Sequence, residues 1–169
     1  MTVGLVVVSH SRALARAAVA LAQEMLHGKQ IRIAIAAGLD DTTFGTDAAQ
    51  IVDAIIAADQ GAGVVVLMDL GSAVLSAELA LELLEDDVRE RVVLCPAPLV
   101  EGLVVAAVAA ANGADSTEVA AEAAGAPAAD HAIAVLIQLT SFCFGSAPIL
   151  VAATWPFLNS NRVGIERTP

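Results

Sequence analysis

Four short aliphatic runs recur along the chain, and helical spacing separates them. Val3 to Val8, Ile31 to Ala37, Val64 to Met68 and Val92 to Cys95 are each nearly continuous in valine, leucine, isoleucine and alanine. A strand with one face in water alternates apolar and polar residues, so unbroken runs of this length describe strands buried on both faces. Strands of that kind belong to parallel sheets, whose connections must cross over and are usually helices.

The intervening stretches supply those helices. Ser11 to Leu26 carries Leu14, Ala17, Ala18, Leu21, Ala22 and Met25 on one predicted side, and His27-Gly28 ends it. After a polar loop from Gly38 to Gly45, Thr46 or Asp47 caps a helix to about Ala58, with Ile51, Val52, Ile55 and Ile56 on its apolar face. Further helices are predicted over Ser72 to Leu84, Leu99 to Ala111 and Ser116 to Ala124, with a charged stretch from Glu85 to Arg91. The expected fold class is α/β: an open parallel sheet with helices on both faces and the flavodoxin-like strand order 2-1-3-4. Composition agrees, since 57% of residues are apolar while aromatics make up 3% and tyrosine is absent. That content suits a helix-covered sheet better than an aromatic-rich sandwich.

The strand order selects a site. Ligands of such sheets bind beyond the carboxyl ends of the strands, where the order reverses. That point lies between the first and third strands, which end in Ser9-His10-Ser11 and Asp69-Leu70-Gly71-Ser72. His10 and Asp69 are therefore expected to meet above the sheet. Asp69 can accept from one ring nitrogen and leave the other free to attack phosphorus. The helix beginning near Ser11, and amides from Gly71 and Ser72, would offer donors to a phosphoryl group. Asp69 also has a plainer expected role, as cap of the following helix.

Other chemistry fits less well. A response-regulator receiver would need an acidic pair after the first strand and a late lysine, but the only lysine, Lys29, precedes the second strand. A flavodoxin would need aromatics near its phosphate loop. The net charge of −11 repels phosphate backbones and anionic lipid, so neither nucleic acid nor a membrane surface is expected as a partner. Cys95 and Cys143 show no metal-ligand or CxxC spacing and are read as reduced thiols of a cytoplasmic protein; no metal is expected. The first apolar run lacks a preceding basic region and reads as a strand, not a signal peptide.

Five blocks carry a resemblance to a known family. They are Val6-Val7-Val8-Ser9-His10-Ser11, Ala36-Ala37-Gly38-Leu39-Asp40-Asp41, Phe44-Gly45-Thr46-Asp47, Met68-Asp69-Leu70-Gly71-Ser72-Ala73 and Ala97-Pro98-Leu99-Val100-Glu101-Gly102. In this order they resemble the DhaM family, phosphotransferase subunits of phosphoenolpyruvate-dependent dihydroxyacetone kinases, whose N-terminal domain belongs to the mannose-type EIIA superfamily. The resemblance covers about residues 1–124. It implies that His10 is the phosphorylated residue, with Asp69, Gly71 and Ser72 in a second active-site loop and Gly38, Gly45 and Thr46 in a first. It also implies a homodimer that takes its phosphoryl group from the phosphocarrier HPr and passes it to ADP held by a partner subunit, DhaL. The regenerated ATP would phosphorylate dihydroxyacetone on DhaK, so no cofactor is expected on this chain itself. Two other functions stay open: the EIIA component of a mannose-type sugar transporter, and a regulatory binding module that has lost phosphotransfer.

The resemblance ends near Ala124. Residues 125–130 read as a linker, and residues 131–169 as an apolar tail that is not HPr-like and has no assigned role. From Ala132 to Leu158 the tail carries no charge, yet Gly145, Pro148 and Pro156 interrupt it, so it is not read as a membrane span. With no second histidine in an HPr-like setting, the donor is expected to be a separate protein.

Overall fold

The computed structural model describes residues 1–126. The apolar tail at 131–169 and most of the linker at 125–130 lie outside the described residues. Four strands, β1 (Gly4–Ser9), β2 (Ile33–Ala37), β3 (Val64–Met68) and β4 (Val92–Cys95), form one parallel sheet in the order β2-β1-β3-β4. The helices are α1 (Arg12–Met25), α2 (Ala48–Ala58), α3 (Gly71–Leu83), α4 (Asp86–Arg89), α5 (Leu99–Ala111) and α6 (Ser116–Ala124). This is the expected α/β arrangement. β2 begins at Ile33, two residues later than its apolar run does, and the charged stretch after α3 winds into the single turn of α4.

The strand period of two divides the core. Leu5, Val7, Val65 and Leu67 point to one side and pack with α1, α5 and α6; Val6, Val8, Val64 and Val66 point to the other and pack with α2 and α3. Both faces of β1 are fully covered, which is why its sequence shows no alternation. Gly4 marks where β1 passes the end of α2: a Cβ there would lie 2.3 Å from the Ala58 carbonyl oxygen. Cys95 is a buried free thiol whose Sγ lies 3.4 Å from the Ala120 carbonyl.

One predicted face is corrected. α1 buries Ala15, Ala18, Val19 and Ala22, while Leu14, Leu21 and Met25 are 44%, 46% and 43% exposed. Two apolar stripes lie side by side on this helix, and the small-residue stripe meets the sheet because alanines let the helix approach closely. α3 follows the same rule, burying Ala73, Ala77 and Ala80 and turning Leu75, Leu79 and Leu83 outward. Ile56, expected inside α2, is also exposed. Among the described residues no helix is long and apolar enough to cross a membrane.

Candidate active site

Register brings the reactive groups together. Val8 of β1 pairs with Met68 of β3, and the Asp69 amide donates to the Val8 carbonyl at 3.2 Å, so both chains leave the sheet side by side. Asp69 then turns its carboxylate back over β1. Oδ1 lies 3.0 Å from His10 Nδ1 and accepts from the Leu70 amide at 2.7 Å. Oδ2 accepts from the Ser9 hydroxyl and from the His10 amide, each at 2.9 Å.

Burial alone would raise the pKa of Asp69. The bonds from the His10 amide and ring, the Ser9 hydroxyl and the Leu70 amide outweigh it and hold the carboxyl below its ordinary value. An ionised carboxylate only accepts, so Nδ1 must be the nitrogen that carries hydrogen toward it. In the neutral ring this leaves the lone pair on Nε2. The Ser72 hydroxyl sits 2.7 Å from Nε2 and donates to that lone pair. The histidine side chain remains 24% exposed.

Three features of the sequence are thus assembled: His10, Asp69 and Ser72. Asp69 does not cap α3. Leu70 holds the N-cap position without a side-chain bond, which leaves the first amides of this helix, including those of Gly71 and Ser72, without a side-chain acceptor. Nothing would crowd a Cβ at Gly71, so the space over the helix end is open.

The other predicted phosphate ligands have partners within the chain. Ser11 caps α1, its hydroxyl accepting from the Leu14 amide at 3.3 Å. The Gly38 amide donates to the Ser9 carbonyl at 3.1 Å. The Thr46 hydroxyl pairs with Ser76 of α3 at 2.8 Å. The Gly38 amide would have to give up its partner to touch a phosphoryl group, whereas the Ser11 hydroxyl, which accepts here, keeps its hydrogen free to donate.

Two positioning residues escaped the sequence reading. Ser9 is the one buried polar residue among the described residues; besides bonding Asp69, its hydroxyl accepts from the Ser11 amide at 3.1 Å. A serine closing an otherwise apolar buried strand was the available signal. Arg12 holds the loop after β2, its Nε donating to the Ala37 carbonyl at 2.7 Å and an Nη to that of Gly38 at 3.2 Å. A recess of about 80 Å³ lies between the start of α1 and the loop after β2, lined by residues that include His10, Arg12, Asp40 and Phe44. A larger cleft of about 180 Å³, lined by Met25, His27, Lys29 and Asn112 among others, holds no comparable cluster. Among the described residues no three His, Cys, Asp or Glu side chains gather as metal ligands.

A carboxylate-oriented histidine thus stands at the switch point of a parallel sheet. The family model for EIIA-man, described as the PTS system fructose IIA component, matches residues 4–120, and the chain belongs to that family. Within it the chain is similar to the phosphoryl donor subunit DhaM of PEP-dependent dihydroxyacetone kinase from Escherichia coli, with 50% identity over 119 residues, 69% of this chain and 25% of that protein. The Pantoea ananatis subunit of the same name is 51% identical over 115 residues, 67% of this chain and 24% of that protein. The DhaM subunit of dihydroxyacetone kinase 2 from Listeria innocua is 38% identical over 106 residues, 63% of this chain and 84% of that protein. The chain thus spans about a quarter of the length of the longer relatives. A crystal structure of a protein of unknown function, EF1359, superposes with a TM-score of 0.69 at 36% identity, covering 76% of this chain and 97% of that one.

Proposed function

We propose that the protein is a phosphohistidine carrier of the DhaM type, with His10 as the residue that holds the phosphoryl group. The observation that carries this is the pair of bonds on one imidazole: Asp69 fixes hydrogen on Nδ1, and the lone pair of Nε2 meets the Ser72 hydroxyl. In the forward step Nε2 attacks the phosphorus of a phosphohistidine on HPr. The phosphorus–nitrogen bond to the donor breaks, and its electron pair returns to the donor ring. Asp69 balances the positive charge that develops on the His10 ring. Ser72 gives up its bond to Nε2 and donates to a phosphoryl oxygen instead, joined by the open amides of α3.

The second step runs the same way. A terminal oxygen of ADP, held in DhaL, attacks phosphorus as the bond to Nε2 breaks, and the His10 lone pair is restored. The chain acts as a carrier subunit in the cytoplasm and binds no nucleotide itself. We further propose a homodimer, supported by the outward leucines Leu75, Leu79 and Leu83 on α3, which are 67%, 50% and 61% exposed. Leu79→Glu should leave a folded monomer by sedimentation.

Intact mass after incubation with phosphoenolpyruvate, enzyme I and HPr tests the carrier role. One added phosphoryl group on the wild type, none on His10→Ala, and discharge by DhaL loaded with ADP are the expected results. An unmodified, folded wild type would sink the reading. The family description, a fructose IIA component, favours a transporter EIIA as the second reading; discharge onto an EIIB domain and not onto DhaL would select it.

A further inference from the structure

Asp69 meets the imidazole with one oxygen, Oδ1, while the other, Oδ2, takes its bonds from the end of β1 and the residue after it. The amides of His10 and Leu70 that reach this carboxylate belong to the backbone and are present whatever the side chains are. Besides the ring itself, Ser9 is the one side chain among the described residues that bonds it. It closes a strand otherwise made of glycine, leucine and valine, and it is 0% exposed. A hydroxyl so buried is costly unless it is bonded, and Asp69 is its partner.

The hydrogen of this hydroxyl has two acceptors within reach, Asp69 Oδ2 at 2.9 Å and the Ser11 carbonyl at 3.2 Å. The carboxylate is nearer and charged, so the hydrogen lies toward it. The Ser11 amide meanwhile donates to the Ser9 oxygen at 3.1 Å. Hydrogen bonds in such a chain polarise one another, and the amide makes the hydroxyl a stronger donor. Part of the carboxylate's charge is thereby drawn toward β1 and away from the ring.

That matters to a carrier because its ring changes charge during the cycle. The empty ring is neutral, with hydrogen on Nδ1. When the bond from Nε2 to phosphorus forms, that hydrogen stays on Nδ1 and the ring becomes a cation. When the bond breaks, its electron pair returns to Nε2 and the ring is neutral again. A neighbouring carboxylate stabilises the loaded ring more than the empty one, and each donor that takes up carboxylate charge reduces the preference.

We infer that Ser9 sets the phosphoryl-transfer potential of His10: acting through Asp69, its hydroxyl weakens the counter-charge on the loaded ring and keeps the phosphoryl group easy to pass on. Ser9 is a positioning residue in this scheme. The inference rests on the carrier reading and deepens it.

Two measurements on the full chain test it, in wild type, Ser9→Ala and Ser9→Cys, the last keeping a weaker donor. In the first, each protein is loaded with phosphoramidate, which phosphorylates an imidazole without a protein donor. The reagent is removed and loss of the phosphoryl group is followed by intact mass. In the second, loaded HPr and empty protein are mixed without enzyme I, and the ratio of the two phosphoproteins is read at equilibrium. Ser9→Ala should lose its phosphoryl group about threefold more slowly, and the equilibrium should move about threefold toward it, with Ser9→Cys in between. The sign separates this from a structural role. A side chain that merely held Asp69 in place would, on removal, leave the loaded ring less well compensated, so loss would quicken and the equilibrium would move toward HPr. Either of those results, or no change, overturns the inference and leaves His10 as the carrier. If Ser9→Ala does not fold, Ser9→Cys against wild type is read by the same signs. A wild type loaded by neither phosphoramidate nor HPr sinks the carrier reading, and this inference with it. A wild type loaded by phosphoramidate alone removes HPr as donor, and the rate of loss then decides the role of Ser9.

Discussion

Asp69, after β3, and Asp40, after β2, each accept four hydrogen bonds and are each held below the ordinary carboxylate pKa. Their settings differ. Asp40 is exposed and takes all four bonds from Thr42 and Thr43, led by the Thr42 amide, so it closes its own loop. Asp69 has a side chain only 11% exposed and takes three of its bonds from β1 and the residue after it, sixty positions away in sequence. A strongly ionised aspartate is therefore no signature of chemistry. What distinguishes Asp69 is that its bonds cross between elements and that one of them ends on a ring nitrogen.

Removing each carboxylate should expose that difference. Asp69→Ala should lower the rate of phosphoryl uptake from HPr by about 10²- to 10⁴-fold, because the ring loses both its tautomer and its counter-charge. It should also cost on the order of 2 kcal/mol of stability, since the Ser9 hydroxyl and the His10 amide lose their acceptor in a largely buried place. Single-turnover charging and urea unfolding measure the two effects. The stability gap has a definite pH dependence. The folded pKa of Asp69 is depressed, so its contribution is fully present above the unfolded value of about 4 and is lost as pH falls through the folded value. The difference between wild type and Asp69→Ala should therefore narrow between pH 7 and pH 3. A gap that stays constant over that range would mean that the charge of Asp69 is not what stabilises the site.

A smaller effect is expected at Ser72. Ser72→Ala should slow charging by about tenfold, one oxyanion donor being lost while amides of α3 remain. Stability should change little at this exposed position. The smallest effect belongs to Asp40→Ala. Phosphoramidate charging should stay within about twofold of wild type, while amide exchange at Thr42 and Thr43 quickens and the KM for HPr rises a few-fold. If Asp40→Ala instead slowed phosphoramidate as much as Ser72→Ala does, the two aspartates would be less different than their bonds imply.

The sheet order and the meeting of His10 with Asp69 were legible because buried parallel strands leave few arrangements, and the switch point follows from the order. The unbroken apolar runs Leu5 to Val8 and Val64 to Met68 sufficed to place both residues at strand ends. Side-chain partners were less legible. Thr46 has the composition of a phosphate ligand, yet its hydroxyl meets Ser76, a contact fixed by how α2 and α3 lie together. The packed face of α1 was misread because Leu14 and Leu21 outweigh Ala15 and Ala22 in any count of apolarity, whereas close approach to a sheet favours the smaller residues. Ser9 was visible within its block but had no assigned role, since nothing local shows that its hydroxyl would find a carboxylate sixty positions on.

The separation of His10 from Asp69 has a consequence for the timing of synthesis. At about 5 to 20 residues per second, the ribosome makes the histidine several seconds before the aspartate. β3 must then emerge and settle beside β1 before the ring is oriented. Until that moment the nascent chain presents an ordinary imidazole. The site is completed only when strand pairing is native, so only a folded chain presents the oriented ring.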